Sequence, residues 1–374
     1  MEVGDVKMEL ERKAVKNMRN INWERPTPGY IRLSFGENYS KIPQCIPDAI
    51  IEELNLINLY PDSACSKARE RIAKYVGISA DKIIVDNGID GILDIIAKTF
   101  IEKGDEIIIP VPTFPTYRSV SELMEGRVKN ILLNEDFCLD IDKLIDSITN
   151  RTKLIFIANP NNPTGNILLE RDSARKILDK FDGILILDEC YFEICRRTNI
   201  DLVNHCNNLI VTRSFSKALA LAGLRIGYAI GSKYLINPMN RVVDNCSPFR
   251  LDRLAQSASK ILELPEEIER LCEDFRCRKM LFFSGLEKIP HISVVNTDTS
   301  FLLIRVRNKN ISVESIKNAL EKKRIIIRNC NIYDNMPSGY ILSGIPAEED
   351  ISYVVSSIHG AINLLIEREG YEDK

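Results

Sequence analysis

Short runs of Ile, Leu and Val, each closed by polar residues, Pro or Gly, recur through the first two thirds of the chain. They are KIIVDNG (82–88), DEIIIP (105–110), KLIFIANP (153–160), ILILDE (184–189), LIVTRS (209–214) and RIGYAIG (225–231). Runs this continuously apolar predict parallel strands covered on both faces. Helix-period segments lie between several of them: GILDIIAKTFIEKG (91–104), FPTYRSVSELMEG (114–126), and the stretch after Pro163 to about Phe181. The alternation predicts an α/β, doubly wound domain over roughly residues 40 to 250. From about Leu254 the pattern changes to a long charged amphipathic region, PEEIERLCEDFRCRKMLFFSGLEKI. Strand-like SVVNTDTSFLLIRV (293–306), helix-like VESIKNALEKKR, strand-like IIIR (325–328) and a last helix, about Glu348 to Glu369, follow. This predicts a smaller α+β domain.

Composition narrows the function classes. The 374 residues are 45% hydrophobic and 28% charged, ordinary for a globular chain of about two domains. A net charge of −3 supplies no basic field for nucleic acid or an anionic membrane. No apolar run is long enough to span a bilayer, and MEVGDVKMELERKAVKNMRN is too charged for a signal peptide. The ten cysteines are scattered with no CxxC pair, which predicts reduced thiols, a cytoplasmic location and no metal. His205, His291 and His359 lie far apart, a poor basis for a metal cluster or a Ser-His-Asp triad. Acid–base chemistry should then come from lysine, carboxylate or a cofactor.

In open α/β sheets ligands sit beyond the carboxyl ends of the strands. Four such ends carry unusual polar residues. KLIFIANP runs into NNPTG, with Asn161 and Asn162 in a tight turn; ILILDE ends in Asp188, with Tyr191 three residues on. LIVTRS ends in Ser214, followed by Ser216 and Lys217. KIIVDNG leads to Gly88, Ile89 and Asp90 at a helix start, where free N–H groups can hold a phosphate. Lys217 is the anomaly, a lone cation before small apolar residues. A buried lysine is costly unless it is paired or consumed by chemistry. Each feature alone has an ordinary structural explanation, as a turn, a helix cap or a surface lysine; together, in this order, they point to a site.

With NPNNPTG, LDECY and SFSKALALAGLRIGY in place, the chain resembles the fold-type I, aspartate-aminotransferase-like family of pyridoxal-phosphate enzymes, from about Leu33 to the last helix. YPD (60–62), PVPTFPTY (110–117) and SPFRLDRLAQ (247–256) make it most similar to the histidinol-phosphate aminotransferases and threonine-phosphate decarboxylases. The resemblance implies an N-terminal arm (1–40) joined to a small domain (254–374), around a large cofactor-binding domain (41–253). It implies that Lys217 links pyridoxal 5'-phosphate as a Schiff base and then acts as general base. Asp188 would pair with the pyridine nitrogen, Asn162 and Tyr191 would bond the phenolate oxygen, and Phe114 would stack on the ring. Ser214, Ser216, Arg225 and the Gly88–Ile89–Asp90 backbone would hold the phosphate. Tyr60 would reach the phosphate of the other subunit, implying a homodimer with shared sites.

Two departures bear on the substrate. The family's small-domain arginine, in a Leu-Arg-Ile-Ser-Ile-Gly pattern, grips the substrate carboxylate; GYILSGIPAEED (339–350) has Tyr340 to Leu342 there and no arginine. Arg250 and Asp252 replace asparagine-like residues of the subgroup, while Arg328 matches a basic position facing the substrate. Either Arg250 or Arg328 takes over the carboxylate, or the substrate is not a standard α-amino acid. The expected activity is transamination between an amino acid and a small phosphorylated compound. The alternative is decarboxylation of an amino-acid O-phosphate. A cofactor-binding regulatory domain fits less well, because those proteins carry an added DNA-binding module.

Overall fold

The computed structural model describes residues 10–21 and 27–372. Parts of the expected N-terminal arm, residues 1–9 and 22–26, lie outside them. The strands are β1 (Ile31–Arg32), β2 (Ile83–Asn87), β3 (Glu106–Val111), β4 (Arg127–Leu132), β5 (Thr152–Ala158), β6 (Ile184–Asp188), β7 (Leu209–Ser214) and β8 (Ile226–Gly231). They continue with β9 (Ile292–Val295), β10 (Phe301–Val306), β11 (Ile325–Ile326), β12 (Arg328–Asn329) and β13 (Tyr340–Gly344).

Seven strands form one sheet in the order β2-β8-β7-β6-β5-β3-β4. Its central strands are buried on both faces, as their unbroken Ile/Leu/Val runs require: every residue of β6, β7 and β8 is buried. The expectation of parallel strands fails at RIGYAIG. β8 runs antiparallel to both β7 and β2, while the other pairs are parallel. The cause is the connection. Residues 215–225 contain only a single turn of 3₁₀ helix at Ala222–Leu224, and a parallel return needs a crossover of roughly a dozen residues or more, usually helical. β4, absent from the sequence reading, is an edge strand whose Arg127 and Lys129 interrupt its apolar pattern.

A second sheet, β12-β13-β10-β9, is antiparallel throughout. The run 293–306, read as one strand, is a hairpin, because the polar NTDTS turns the chain back and Asp298 N–H bonds the Gly165 carbonyl at 2.7 Å. IIIR splits: β11 pairs in parallel with β1, and β12 joins β13. Leu33 lies in the same apolar core as Phe275, Leu302, Ile316, Ile325 and Val354. The residues before the large sheet are therefore tied to those after it. No helix among the described residues is long and apolar enough to cross a membrane.

Candidate active site

Because β2, β5, β6 and β7 point the same way, their carboxyl ends share one edge of the sheet. β8 begins at that edge, so the β7–β8 connection, which carries Lys217, stays there. The helix Gly88–Phe100 starts beside it, with an apolar face of Ile92, Leu93, Ile95 and Ile96 packed on the sheet.

Gly88 has φ +70°, and a Cβ there would sit 2.7 Å from Arg225 Nη2. Gly227, paired with both Asp86 and Ser214, would place a Cβ 2.5 Å from the Gly88 carbonyl carbon. Only glycines permit this close approach. Around it, Arg225 donates to Ser216 Oγ (3.4 Å) and Asp90 Oδ2 (3.0 Å). Ser214 Oγ accepts from Ser216 N–H at 3.1 Å. Gly88, Asp90, Ser214, Ser216 and Arg225 are thus brought together, with Ile89 following Gly88 in the first helical turn. Hydroxyls, a guanidinium and a helix N-terminus in one cradle are the donor set of a phosphate site.

Asp188 is 6% exposed. The Tyr117 hydroxyl donates to its Oδ2 at 2.6 Å, and the Cys190 N–H to its Oδ1 at 3.1 Å. Burial pushes this carboxyl upward from the usual range, and the donors from Cys190 and Tyr117 oppose the rise. A cationic N–H partner would hold it ionised. Lys217 is half-buried; its Nζ donates to the Phe35 carbonyl at 2.9 Å and lies 5.8 Å from the centre of the Tyr191 ring. Burial pushes its ammonium down, and Cys190 and Glu37 act the other way. Such an amine is a better nucleophile and base than a solvated one.

The NNPTG turn is fixed from both sides. Asn161, wholly buried, accepts from Thr113 Oγ1 (2.7 Å) and donates to the Pro112 carbonyl (2.9 Å). Gly165 faces Thr297 so closely that a Cβ would lie 2.3 Å from that side chain. Asn162 is left to face the site, its Oδ1 accepting from the Tyr333 hydroxyl at 3.0 Å. Phe114 meets Tyr117 edge-on, with centroids 5.6 Å apart.

The substrate-side residues fall differently. Arg328 Nε donates to the Ser34 carbonyl at 2.7 Å, with its guanidinium 4.7 Å from the Phe35 ring centre. It therefore shares one segment with Lys217. Arg250 bonds Asp86 and Asp94, each at 3.3 Å, so its charge is balanced locally. Tyr340 and Leu342 join a buried cluster with Tyr191, Phe301 and Tyr333. Tyr60 stands outside the cluster in the single chain, 79% exposed and stacked on Phe249 at 4.7 Å. A concavity of about 920 Å³ along Arg305, Arg307 and Lys309 includes none of these residues.

Sequence reasoning missed the contributions of Tyr117, Tyr333 and the carbonyl of Phe35. Tyr117 lies in the quoted PVPTFPTY but carries no spacing signal, and a main-chain carbonyl has no signature at all. It also missed the pair directly behind the site. Glu189 and Arg213, 0% and 2% exposed, meet at 2.9 Å next to Asp188 and Ser214 in sequence.

Comparison with known proteins identifies the family. Residues 28–342 match the family model of "Aminotransferase class I and II". The histidinol-phosphate aminotransferase of Methanocaldococcus jannaschii is 32% identical over 328 residues, covering 86% of each chain. Among solved structures, that of the Sinorhizobium meliloti histidinol-phosphate aminotransferase in complex with pyridoxal-5'-phosphate has a TM-score of 0.85 at 18% identity, covering 96% of this chain and 99% of that one. The L-threonine-O-3-phosphate decarboxylase of Porphyromonas gingivalis has a TM-score of 0.76 at 22% identity, covering 89% and 99%. At these identities the two structures speak for the fold alone. The family match over most of the chain decides membership: this protein is a class I and II aminotransferase.

Proposed function

We propose that this aminotransferase holds pyridoxal 5'-phosphate through Lys217. It would move an amino group between an amino acid and a small phosphorylated oxo/amino compound, one partner giving up its amine as the other's carbonyl receives it, in the manner of the histidinol-phosphate aminotransferases it is similar to. The supporting observation is the meeting at one sheet edge of the Lys217 amine, the buried Asp188 and the cradle of Gly88, Ser214, Ser216 and Arg225. These residues fit the cofactor. The glycines leave room for a phosphate dianion, the hydroxyls and guanidinium donate to it, and Asp188 has the burial that calls for a ring N–H cation.

When bound, the cofactor supplies a ring that withdraws electrons from the substrate carbon bearing the amine. Asp188 would keep the proton on the ring nitrogen, and the Tyr117 hydroxyl keeps the carboxylate oriented. Asn162, whose Oδ1 is taken by Tyr333, has its amide N–H₂ free to donate to the phenolate oxygen, alongside the Tyr191 hydroxyl. Phe114 would cover a ring face. The lowered basicity of the Lys217 amine favours its unprotonated form, the one that can accept the α-proton. Arg328, beside Lys217, is the cation available to a substrate anion. The aromatic cluster at Tyr340 favours a ligand whose anion is displaced from the α-carbon.

The same reading extends to a homodimer. Ile51, Leu54, Ile57 and Leu59 are 45–66% exposed next to Tyr60 in sequence, an apolar run that a second copy would cover. It also includes a large domain over 41–253, a small one over 254–374 joined by the 1–40 arm, and a cytoplasmic location.

The test is reduction with borohydride and peptide mapping, then incubation with amino donor alone. The expected outcome is label at Lys217 and conversion of the cofactor to its amine form. Label elsewhere, or carbon dioxide release without a keto-acid acceptor, would overturn the reading. Mixing Tyr60→Phe with Lys217→Ala subunits should restore part of the activity, and no recovery after confirmed exchange would rule out shared sites.

A further inference from the structure

The mechanism above makes no use of Arg278, a guanidinium only 3% exposed on the helix Pro265–Leu286. Its Nη2 donates to Asn38 Oδ1 and Ser40 Oγ, both at 2.6 Å, and its Nη1 to the Pro346 carbonyl at 3.1 Å. Its carboxylate partner is Asp274, at 3.1 Å from Nη2. Replacing a buried ion pair by well-packed apolar side chains of similar volume is often neutral or stabilising, so retention of the Arg278–Asp274 pair calls for another reason.

Asn38 supplies one. Its Nδ2 donates to the carbonyl of Ala218 at 2.9 Å, the residue after Lys217. The orientation of this amide is dictated by its partners. A guanidinium can only donate, so the amide oxygen faces Arg278; a carbonyl can only accept, so the nitrogen faces Ala218. Three residues earlier, the Phe35 carbonyl accepts from Lys217 Nζ at 2.9 Å. One segment therefore grips Lys217 at its amine and at the adjoining main chain. The segment is itself anchored: the Gly36 carbonyl accepts from Ser300 Oγ at 2.7 Å, and Leu33 from the Gly344 N–H at 2.6 Å.

We propose that Arg278 and Asn38 are positioning residues for Lys217. Arg278 holds the Asn38 carboxamide, Asn38 holds the Ala218 carbonyl, and the segment so fixed presents the Phe35 carbonyl to the amine. The proposal rests on Lys217 being the reactive lysine. It explains how the helix Pro265–Leu286 bears on an amine carried by the β7–β8 connection.

The experiment uses Asn38→Leu, the nearly isosteric Asn38→Asp, Arg278→Met and the charge-retaining Arg278→Lys. In cofactor-free protein, labelling of Lys217 by trinitrobenzenesulfonate is followed against pH by peptide mapping, with circular dichroism reporting the fold. In loaded enzyme, kcat and KM are measured separately. Asn38→Leu and Arg278→Met should move the labelling curve to higher pH as the amine loosens into water. They should lower kcat about tenfold or more with KM changed less than about twofold, because misplacing a reacting group by about 1 Å can cost roughly 10²-fold. Asn38→Asp puts a carboxylate oxygen against the Ala218 carbonyl and should behave like Asn38→Leu even where the fold is intact. Arg278→Lys should recover only part of the loss. An unchanged labelling curve, with kcat falling only as the folded fraction falls, would reduce both residues to a structural role. Wild-type label mapping to another lysine would instead sink the reading of Lys217, so the two failures are distinct.

Discussion

The proposed cofactor half and the proposed substrate half of this site are built by opposite means. On the proposed cofactor side, donors come from strand ends that share one edge of the large sheet, the start of antiparallel β8 among them, and two glycines, Gly88 and Gly227, set the spacing to within a side chain's width. On the proposed substrate side, the second sheet offers an aromatic and aliphatic cluster at Tyr340 and Leu342, and Arg328 on a two-residue strand. The difference teaches where chemistry constrains a fold. A phosphate and a ring nitrogen demand fixed partners, whereas a substrate pocket can change its cation's position as long as some cation remains in reach.

Breaking the cofactor half should have the largest effect. Lys217→Ala should abolish turnover, measured as single-turnover spectral change, while phosphate binding by the cradle persists. Asp188→Asn should retain cofactor and lose several kcal/mol of transition-state stabilisation, about 10²–10³-fold or more in kcat, since an amide cannot hold the ring proton. Near-wild-type kcat in that variant would break the contrast at its root.

The seam between the halves can be probed by pH. Lys279 is buried against the carbonyls of Thr297 and Thr299, and burial lowers its pKa from 10.5 to about 8. Between those values the unfolded chain binds the proton and the folded one does not, so this group makes stability rise with pH. Relative to Lys279→Met, wild-type unfolding free energy should climb by up to about 3 kcal/mol from pH 8 to 10.5, measured by urea titration. A flat difference would remove the buried amine from the seam.

The substrate half should respond more gently. Arg328→Ala should cut the preference for phosphorylated over unphosphorylated amines about 10- to 100-fold, the worth of a charged hydrogen bond. Arg250→Ala should cut it less, because Asp86 and Asp94 already engage that guanidinium. Equal rates for matched pairs, or fast conversion by plain glutamate, would show a carboxylate grip elsewhere. Smallest of all, Tyr333→Phe removes a neutral hydrogen bond to Asn162, worth about 1 kcal/mol. A roughly fivefold fall in kcat/KM is expected, and no change would detach Tyr333 from the site.

The same division decided what could be read from the sequence. Lys217, Asp188, Asn162 and the Gly88 turn were legible because each follows an apolar strand at a fixed offset, and strand direction then brings them together. β8 was read in the wrong direction, because an Ile- and Gly-rich run looks alike either way and only the short 215–225 connection forces the reversal. The hairpin at 296–300 and the split of IIIR were hidden for a related reason: they depend on which strand pairs with which, not on local pattern. Asn38 and Arg278, 240 residues apart, left no trace in spacing. Arg250 drew attention as a departure, yet its partners Asp86 and Asp94 are set by the tertiary fold.

β1 pairs with β11, Ile31 opposite Ile325. On the ribosome this gives the segment that steadies Lys217 a long wait. At roughly 5–20 residues per second, on the order of 15–60 seconds separate synthesis of the two strands. Through that interval the large sheet and the lysine loop can form, but the segment after β1 lacks its anchors at Ser300, Ile326 and Gly344, so nothing fixes Phe35 against the amine. The hold on the Lys217 amine is therefore assembled late, and a chain broken off before β11 would carry Lys217, Asp188 and the Gly88 cradle without it.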